Sequence, residues 1–100
     1  MFRFERVATI KNPADMPAAL QFGAEITAYV NKRHSLNMKF GARLFGEASL
    51  HWYFDMDSLD KGSQLNATLI QDLEYVEMLK KNRALWVDGG LKDSIVTLVA

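Results

Sequence analysis

The stretch that decides the fold is Leu50-His51-Trp52-Tyr53-Phe54-Asp55-Met56-Asp57-Ser58. Up to Met56, every second side chain is apolar, and the side chains between them, His51, Tyr53 and Asp55, are polar or amphipathic. This alternation with a period of two is typical of a half-buried strand. Asp57 and Ser58 then offer side-chain oxygens that can cap the N-terminus of a helix. We therefore predict a strand over residues 49–57 that runs directly into a helix.

Two segments before this stretch also have the pattern of strands. Residues 2–10 alternate apolar or aromatic side chains with charged or polar ones, which predicts a first strand. Residues 38–45 are followed by the short connection Gly46-Glu47-Ala48. This spacing indicates a hairpin between a second strand over 38–45 and the third over 49–57.

The remaining segments predict helices. Residues 12–15, Asn-Pro-Ala-Asp, form a helix start, and apolar side chains at helical spacing continue to about residues 32–33. A second helix begins at residues 57–58. Because Asp72 can cap a helix again, we expect a kink in this second helix near Gln71.

The end of the chain predicts a last strand over residues 94–99, preceded by a turn at Val87-Asp88-Gly89-Gly90. The element order is then strand, helix, strand, strand, helix, strand. Residues 1–100 form one α+β domain of the ferredoxin-like βαββαβ type, with a four-stranded antiparallel-type sheet. We expect strands one and three to be central and parallel, with both helices on one face of the sheet.

Alternation divides the strand residues between the two faces of this sheet. The face under the helices is apolar except for Arg6, and comprises Phe4, Ala8, Met38, Phe40, Ala42, Leu44, Leu50, Trp52, Phe54 and Met56. The open face mixes charged, aromatic and β-branched residues: Arg3, Glu5, Val7, Thr9, Lys39, Arg43, Phe45, His51, Tyr53 and Asp55. A monomer would expose its apolar members together, which disfavours a solvated open face.

Residues 50–58 and the stretch Asp72-Leu73-Glu74-Tyr75 resemble the dimeric α+β barrel superfamily, and are similar to its small NIPSNAP-like and stress-responsive proteins. Subunits of this superfamily press their open sheet faces together and leave the helices outside. The resemblance therefore implies a homodimer through the open sheet face.

The superfamily includes cofactor-free monooxygenases of antibiotic biosynthesis, heme-degrading monooxygenases, isomerases, cyclases and members without known activity, so the fold alone does not give the function. Heme-degrading members use an asparagine on the first strand, and a tryptophan and a histidine on the second helix. The first strand of this chain has no asparagine and its second helix has no histidine. Heme degradation is therefore not expected, and no cofactor is predicted.

Composition excludes several other classes. Twelve basic residues balance twelve acidic ones, so a surface built to bind nucleic acid is not expected. The absence of cysteine excludes disulfides, thiolate nucleophiles and zinc sites built on sulfur. No apolar run approaches the roughly 20 residues that span a membrane, and the first residues lack the apolar core of a signal peptide. We expect a cytoplasmic protein without a membrane partner or a metal site.

The candidate catalytic residues are His51, Tyr53 and Asp55 on the third strand and Arg43 on the neighbouring strand, all facing the same way. His51 would act as base or acid, Asp55 would orient it, and Tyr53 and Arg43 would steady a substrate oxygen. The alternative is structural, since the same polar groups can satisfy one another across a dimer interface.

Trp52, Trp86, Tyr29 and Phe22 are candidates for the wall of a ligand pocket between sheet and helices, although aromatic residues at such spacing also suit a core. His34 follows the first helix, where a capping role is favoured over a catalytic one. The leading hypothesis is a protein that binds or processes a small apolar molecule, aromatic or acyl, with cofactor-independent oxygenation or isomerisation as the expected chemistry if it is catalytic. The alternative is a non-catalytic dimerisation module.

Overall fold

The computed structural model describes residues 1–43 and 45–100. In these two ranges four strands and three helices follow one another, with short 3-10 turns at Pro13–Asp15 and Arg83–Leu85. They are β1 (Phe2–Ile10), α1 (Met16–His34), β2 (Lys39–Ala42), β3 (Ser49–Met56), α2 (Leu59–Gln71), α3 (Leu73–Lys81) and β4 (Trp86–Thr97). The strands form one sheet in the order β2-β3-β1-β4. The predicted ferredoxin-like α+β fold is therefore confirmed.

The two central strands are β1 and β3, as predicted, but the expectation that they run parallel is wrong. Phe2 lies opposite Met56 and Thr9 lies opposite Ser49, so the pair is antiparallel. The crossover through α1 makes β1 and β2 the parallel strands, and β3 returns from β2 by a hairpin into the gap between them. Every neighbouring pair in the sheet is consequently antiparallel.

The predicted turn at residues 87–90 is instead part of β4, which begins at Trp86. Ala8 lies opposite Leu91, whereas Ile10 lies opposite Trp86, so residues 87–90 are accommodated as a bulge. Gly89 has a φ of 70°, a conformation open to glycine at little cost. A bulge explains why the composition of a turn occurs inside a continuous strand.

The second strand is shorter than predicted. It ends at Ala42, so Arg43 lies in the connection to β3 and not on a strand. Its backbone N–H still donates to the carbonyl of Ser49 at 3.0 Å. Leu44, predicted to face the helices, lies outside the described residues.

The predicted cap at Ser58 starts α2, whereas the predicted cap at Asn12 starts the 3-10 turn Pro13–Asp15, so that α1 begins only at Met16. The Asn12 side chain accepts from the N–H of Ala14 at 3.0 Å, and Ser58 accepts from Lys61 at 3.4 Å. The predicted kink near Gln71 is confirmed as a complete break, where Asp72 adopts an extended conformation and its side chain accepts from the N–H of Tyr75 at 3.2 Å.

The core lies between the helices and one face of the sheet. Its most buried side chains come from one stripe of α1 and from the predicted helix-facing positions of β1 and β3: Ala8, Ile10, Ala19, Phe22, Ile26, Val30, Leu50, Trp52 and Met56. Arg6 is the charged exception on this face. It forms two hydrogen bonds with Asp93 of β4, at 2.7 and 2.8 Å, which satisfy its guanidinium beside the core.

Two close approaches fix α1 on the sheet. Gly23 has no side chain, and the ring of Phe40 on β2 occupies the place where a Cβ would stand. One turn later, Thr27 Oγ1 accepts from Trp52 Nε1 at 3.0 Å and donates to the carbonyl of Gly23 at 2.6 Å. The buried indole N–H is thereby satisfied.

Within the described residues, no helix is long and apolar enough to cross a membrane.

Candidate functional site

One cleft of about 460 Å³ opens where the start of β2, the end of β3 and α2 meet. We call it the end cleft. It has an apolar part formed by Met1, Leu36, Phe54, Met56 and Leu65, and a polar part formed by Arg3, Ser35, Asn37, Lys39, Tyr53, Asp55, Asp57 and Lys61. Because it wraps around the end of the sheet, side chains from both faces of β3 line it. An apolar wall with a few polar groups is the usual composition of a small-molecule site.

An ion pair fixes one side of the end cleft. Arg3 and Asp55 are opposite each other in the β1–β3 register, and the guanidinium of Arg3 donates to both carboxylate oxygens at 2.8 and 3.1 Å. This hydrogen bonding lowers the pKa of Asp55 and raises the pKa of Arg3. The guanidinium carbon also lies 5.2 Å from the ring centroid of Tyr53. Arg3 therefore connects the carboxylate to the aromatic ring.

The other side of the cleft carries a second pair. Lys61 Nζ in the first turn of α2 lies 2.7 Å from Oδ1 of Asp57, which precedes the helix cap, and this hydrogen bond lowers the pKa of Asp57. Lys39 stands opposite Tyr53 in the β2–β3 register. In the part of the chain that the structure describes, Lys39 forms no ion pair.

The four candidate catalytic residues are only partly brought together. Tyr53 and Asp55 line the end cleft, whereas His51 and Arg43 do not. His51 Nε2 is hydrogen-bonded to Ser49 Oγ at 3.0 Å, and Asp55 is bonded to Arg3. The expectation that Asp55 orients His51 is wrong, because residues four apart on one strand are separated by about 13 Å. Residue types on one face were predictable, but the partner that each takes was not.

The candidate pocket aromatics form two separate groups. Phe22 and Trp86 have ring centroids 5.6 Å apart, and Trp52 lies 6.2 Å from Trp86. Phe22 and Trp52 are only 5% and 7% exposed. These three rings pack on one another with Phe40 in the core, which is the alternative interpretation of the sequence pattern.

Tyr29 belongs to a cluster that sequence reasoning missed. Its hydroxyl lies 2.7 and 2.8 Å from the carboxylate oxygens of Asp72, and His34 Nε2 lies 2.9 Å from Asp72 Oδ2. The expected capping of α1 by His34 is thus replaced by a bond to α3. The cluster borders a second cleft of about 480 Å³.

The electrostatics of this cluster are those of a structural connection. The hydrogen bond from Tyr29, followed by those from His34 and the backbone of Tyr75, lowers the pKa of Asp72 to about 2. Desolvation and the bond to Asp72 raise the pKa of Tyr29 to about 12. Both values move away from neutral pH, where an acid–base catalyst works best. The sequence indicates that His34 and Asp72 can each cap a helix, but their contact depends on how α1 packs against α3.

Comparisons with known proteins place this fold among solved structures. No protein-family model and no curated protein matches the chain. A NIPSNAP family protein with unknown function from Agrobacterium tumefaciens is similar, with a TM-score of 0.81, 22% identity, and 96% of this chain and 86% of that chain covered. An uncharacterized NIPSNAP domain protein from Burkholderia xenovorans has a TM-score of 0.82 at 11% identity, with 100% and 96% covered.

The fold also extends to a protein described as an antibiotic biosynthesis monooxygenase, with a TM-score of 0.73, 8% identity, and 100% of both chains covered. At these identities the similarity concerns the fold. The chain thus has the ferredoxin-like α+β fold that NIPSNAP family proteins share with an antibiotic biosynthesis monooxygenase, as its resemblance to the α+β barrel superfamily predicts.

Proposed function

We propose that this chain binds a small apolar molecule, aromatic or acyl, in the end cleft. The observation that supports this most is the composition of the cleft, in which the apolar side chains of Leu36, Phe54 and Leu65 adjoin polar groups at the end of the sheet. Apolar surface drives binding and a few polar groups orient the ligand. The Tyr53 hydroxyl has no hydrogen-bond partner within the described residues and is available to a ligand.

If the ligand is also processed, cofactor-independent oxygenation or isomerisation is the proposed chemistry. One structural neighbour is described as an antibiotic biosynthesis monooxygenase, which supports this class. Tyr53 is the group nearest to such a role, because it lines the cleft and lies beside the Arg3 guanidinium. His51 would then act from outside the cleft lining, and its hydrogen bond to Ser49 would have to break before it could act.

We further propose that two copies associate through the open sheet face. Among the described residues no helix packs on that face, and its β4 edge carries Val96, which is 43% exposed and lies opposite Arg3. Phe45 follows β2 and is 84% exposed. A second copy covering this face would remove Val96 from water, and would also cover Phe45 if the contact extends past the end of β2.

The alternative is a dimerisation module that binds no ligand. The Arg3–Asp55 pair favours a module without a ligand, because the guanidinium and the carboxylate are already bonded to each other and need no ligand to satisfy them. Under this alternative the polar groups of the open face specify only the partner copy.

Binding is tested with the neutral fluorescent probe Nile red. We expect saturable fluorescence enhancement that weakens about tenfold in Leu65→Gln, since this change places an amide in the apolar wall. Leu59→Gln is the matched control on the same helix, because Leu59 is exposed and lies outside the cleft. Unsaturable binding, or equal loss in both variants, would refute the binding proposal and leave the dimerisation module.

Association is tested by native mass spectrometry and sedimentation at micromolar concentration. We expect a dimer that Val7→Asp dissociates, because the new carboxylate and Lys92, which lies opposite residue 7 on β4, would both be desolvated in the contact at a cost that exceeds their attraction. Leu20→Asp on α1 is the control and keeps the dimer. A monomer at all concentrations refutes the open-face interface.

A further inference from the structure

The charges of the end cleft do not cancel. Its cationic side chains are Arg3, Lys39 and Lys61, and its anionic ones are Asp55 and Asp57. Arg3 is bonded to Asp55 at 2.8 Å and Lys61 to Asp57 at 2.7 Å. Lys39 is left over, and it carries one positive charge that no side chain in the cleft compensates.

No charge outside the cleft compensates Lys39 either, among the described residues. Glu5 is the nearest candidate on the sheet, since it lies opposite Tyr53 on the far side of that residue from Lys39. Two strand spacings separate them, which is about 10 Å, and no ion pair forms between them. The ammonium of Lys39 is therefore available to a ligand.

The position of Lys39 decides which ligands benefit. It lies on the polar side of the cleft next to Tyr53, while Leu36, Phe54 and Leu65 form the apolar part. A molecule with an apolar body and a single negative group can satisfy both parts at once. A neutral apolar molecule would fill the wall but leave the ammonium to water.

We propose that the ligand class of the end cleft is an apolar carboxylate, with its body on the wall and its carboxylate bound by Lys39, assisted by the Tyr53 hydroxyl. This proposal rests on the proposed binding function and adds the charge of the ligand. A hydrogen-bonded ion pair at a partly exposed site favours the acid over its neutral analogue by about fivefold to tenfold.

The test compares octanoate with 1-octanol as competitors of Nile red at neutral pH and low salt. Octanoate is expected to displace the probe at about fivefold to tenfold lower concentration than octanol. Addition of 0.5 M sodium chloride, about the concentration that shortens the screening length to a few ångströms, should reduce this preference.

Variants at the anchoring position assign the preference. Lys39→Met keeps an unbranched apolar side chain and should abolish the preference, whereas Lys39→Arg should retain it. Lys32→Met on the outer surface of α1 is the control and should behave as the native protein. Equal displacement by octanoate and octanol, or an unchanged preference in Lys39→Met, overturns the carboxylate class while leaving apolar binding intact. If neither competitor displaces Nile red, the proposed binding function fails as well.

Discussion

Substitution of Gly23 by alanine has two opposite effects on stability, and the usual size of each is known. In a helix interior the change should stabilise the protein by about 1 kcal/mol, because alanine loses less backbone entropy on folding. At this site, however, the new Cβ would overlap ring atoms Cε2 and Cζ of Phe40. That ring lies 5.6 Å from the Trp52 ring, so it cannot withdraw freely into the core. Overpacking of this kind costs about 1–3 kcal/mol and occasionally more.

We therefore expect Gly23→Ala to lower the free energy of unfolding by up to about 2 kcal/mol. The matched control is Gly62→Ala in α2, where the new Cβ would lie 3.0 Å from Sδ of Met56. A flexible thioether can yield, so this variant should be neutral or stabilising by up to about 1 kcal/mol.

Urea unfolding followed by tryptophan fluorescence measures both changes, with equal slopes required for the comparison. Phe40→Leu should rescue part of the Gly23→Ala loss in a double-mutant cycle, since it removes the overlapping ring atoms. The packing of α1 on β2 as described would be refuted if Gly23→Ala stabilised the protein as much as Gly62→Ala does.

Two further changes test the buried hydrogen bonds. Thr27→Val should lower the free energy of unfolding in urea by about 1–3 kcal/mol, because it leaves the indole N–H of Trp52 without an acceptor. The control Thr68→Val removes an exposed hydrogen bond to a helix carbonyl and should change this free energy by less than about 0.5 kcal/mol. Similar losses in both variants would contradict the role of Thr27. The pKa of Asp72 lies at about 2 in the folded chain, below its ordinary value of 3.8, so its carboxylate stabilises the fold above pH 3.8 and that contribution is lost as the pH falls towards 2. Asp72→Asn should therefore be less stable than the native chain at pH 7 and lose less Tm between pH 4 and pH 2, and parallel Tm curves would show that Asp72 does not titrate in this way.

Periodicity predicts the parts of this fold in which one face is buried. The alternation along β3 correctly assigns Leu50, Trp52 and Met56 to the core, because a shift of one residue would expose all of them. Local composition is insufficient at residues 87–90, where the same glycines suit a turn or a bulge. Pairing with β1, a contact far away in sequence, decides between the two.

The candidate site is predictable only as a set of residues on one face. Alternation along β3 predicts that Tyr53 and Asp55 share a face, and both line the end cleft. It does not predict that Asp55 pairs with Arg3 and not with His51. The register between β1 and β3 decides that pairing, and this register depends on residues far from Asp55 in the sequence. Lys39 was likewise placed on the open face, yet its role depends on where α2 closes the end of the sheet.

The bulge in β4 restricts how many residues the segment 87–90 can contain. Trp86 and Leu91 point to the helix side although they are an odd number of residues apart, because the bulge inverts the alternation once between them. Loss or gain of a single residue at 87–90 with the bulge kept would turn the rest of the strand over, and Asp93 would leave Arg6 for the opposite side of the sheet. Homologous chains that keep the charged pair should therefore differ in length here by two residues when they keep the bulge, and by one residue when they lose it.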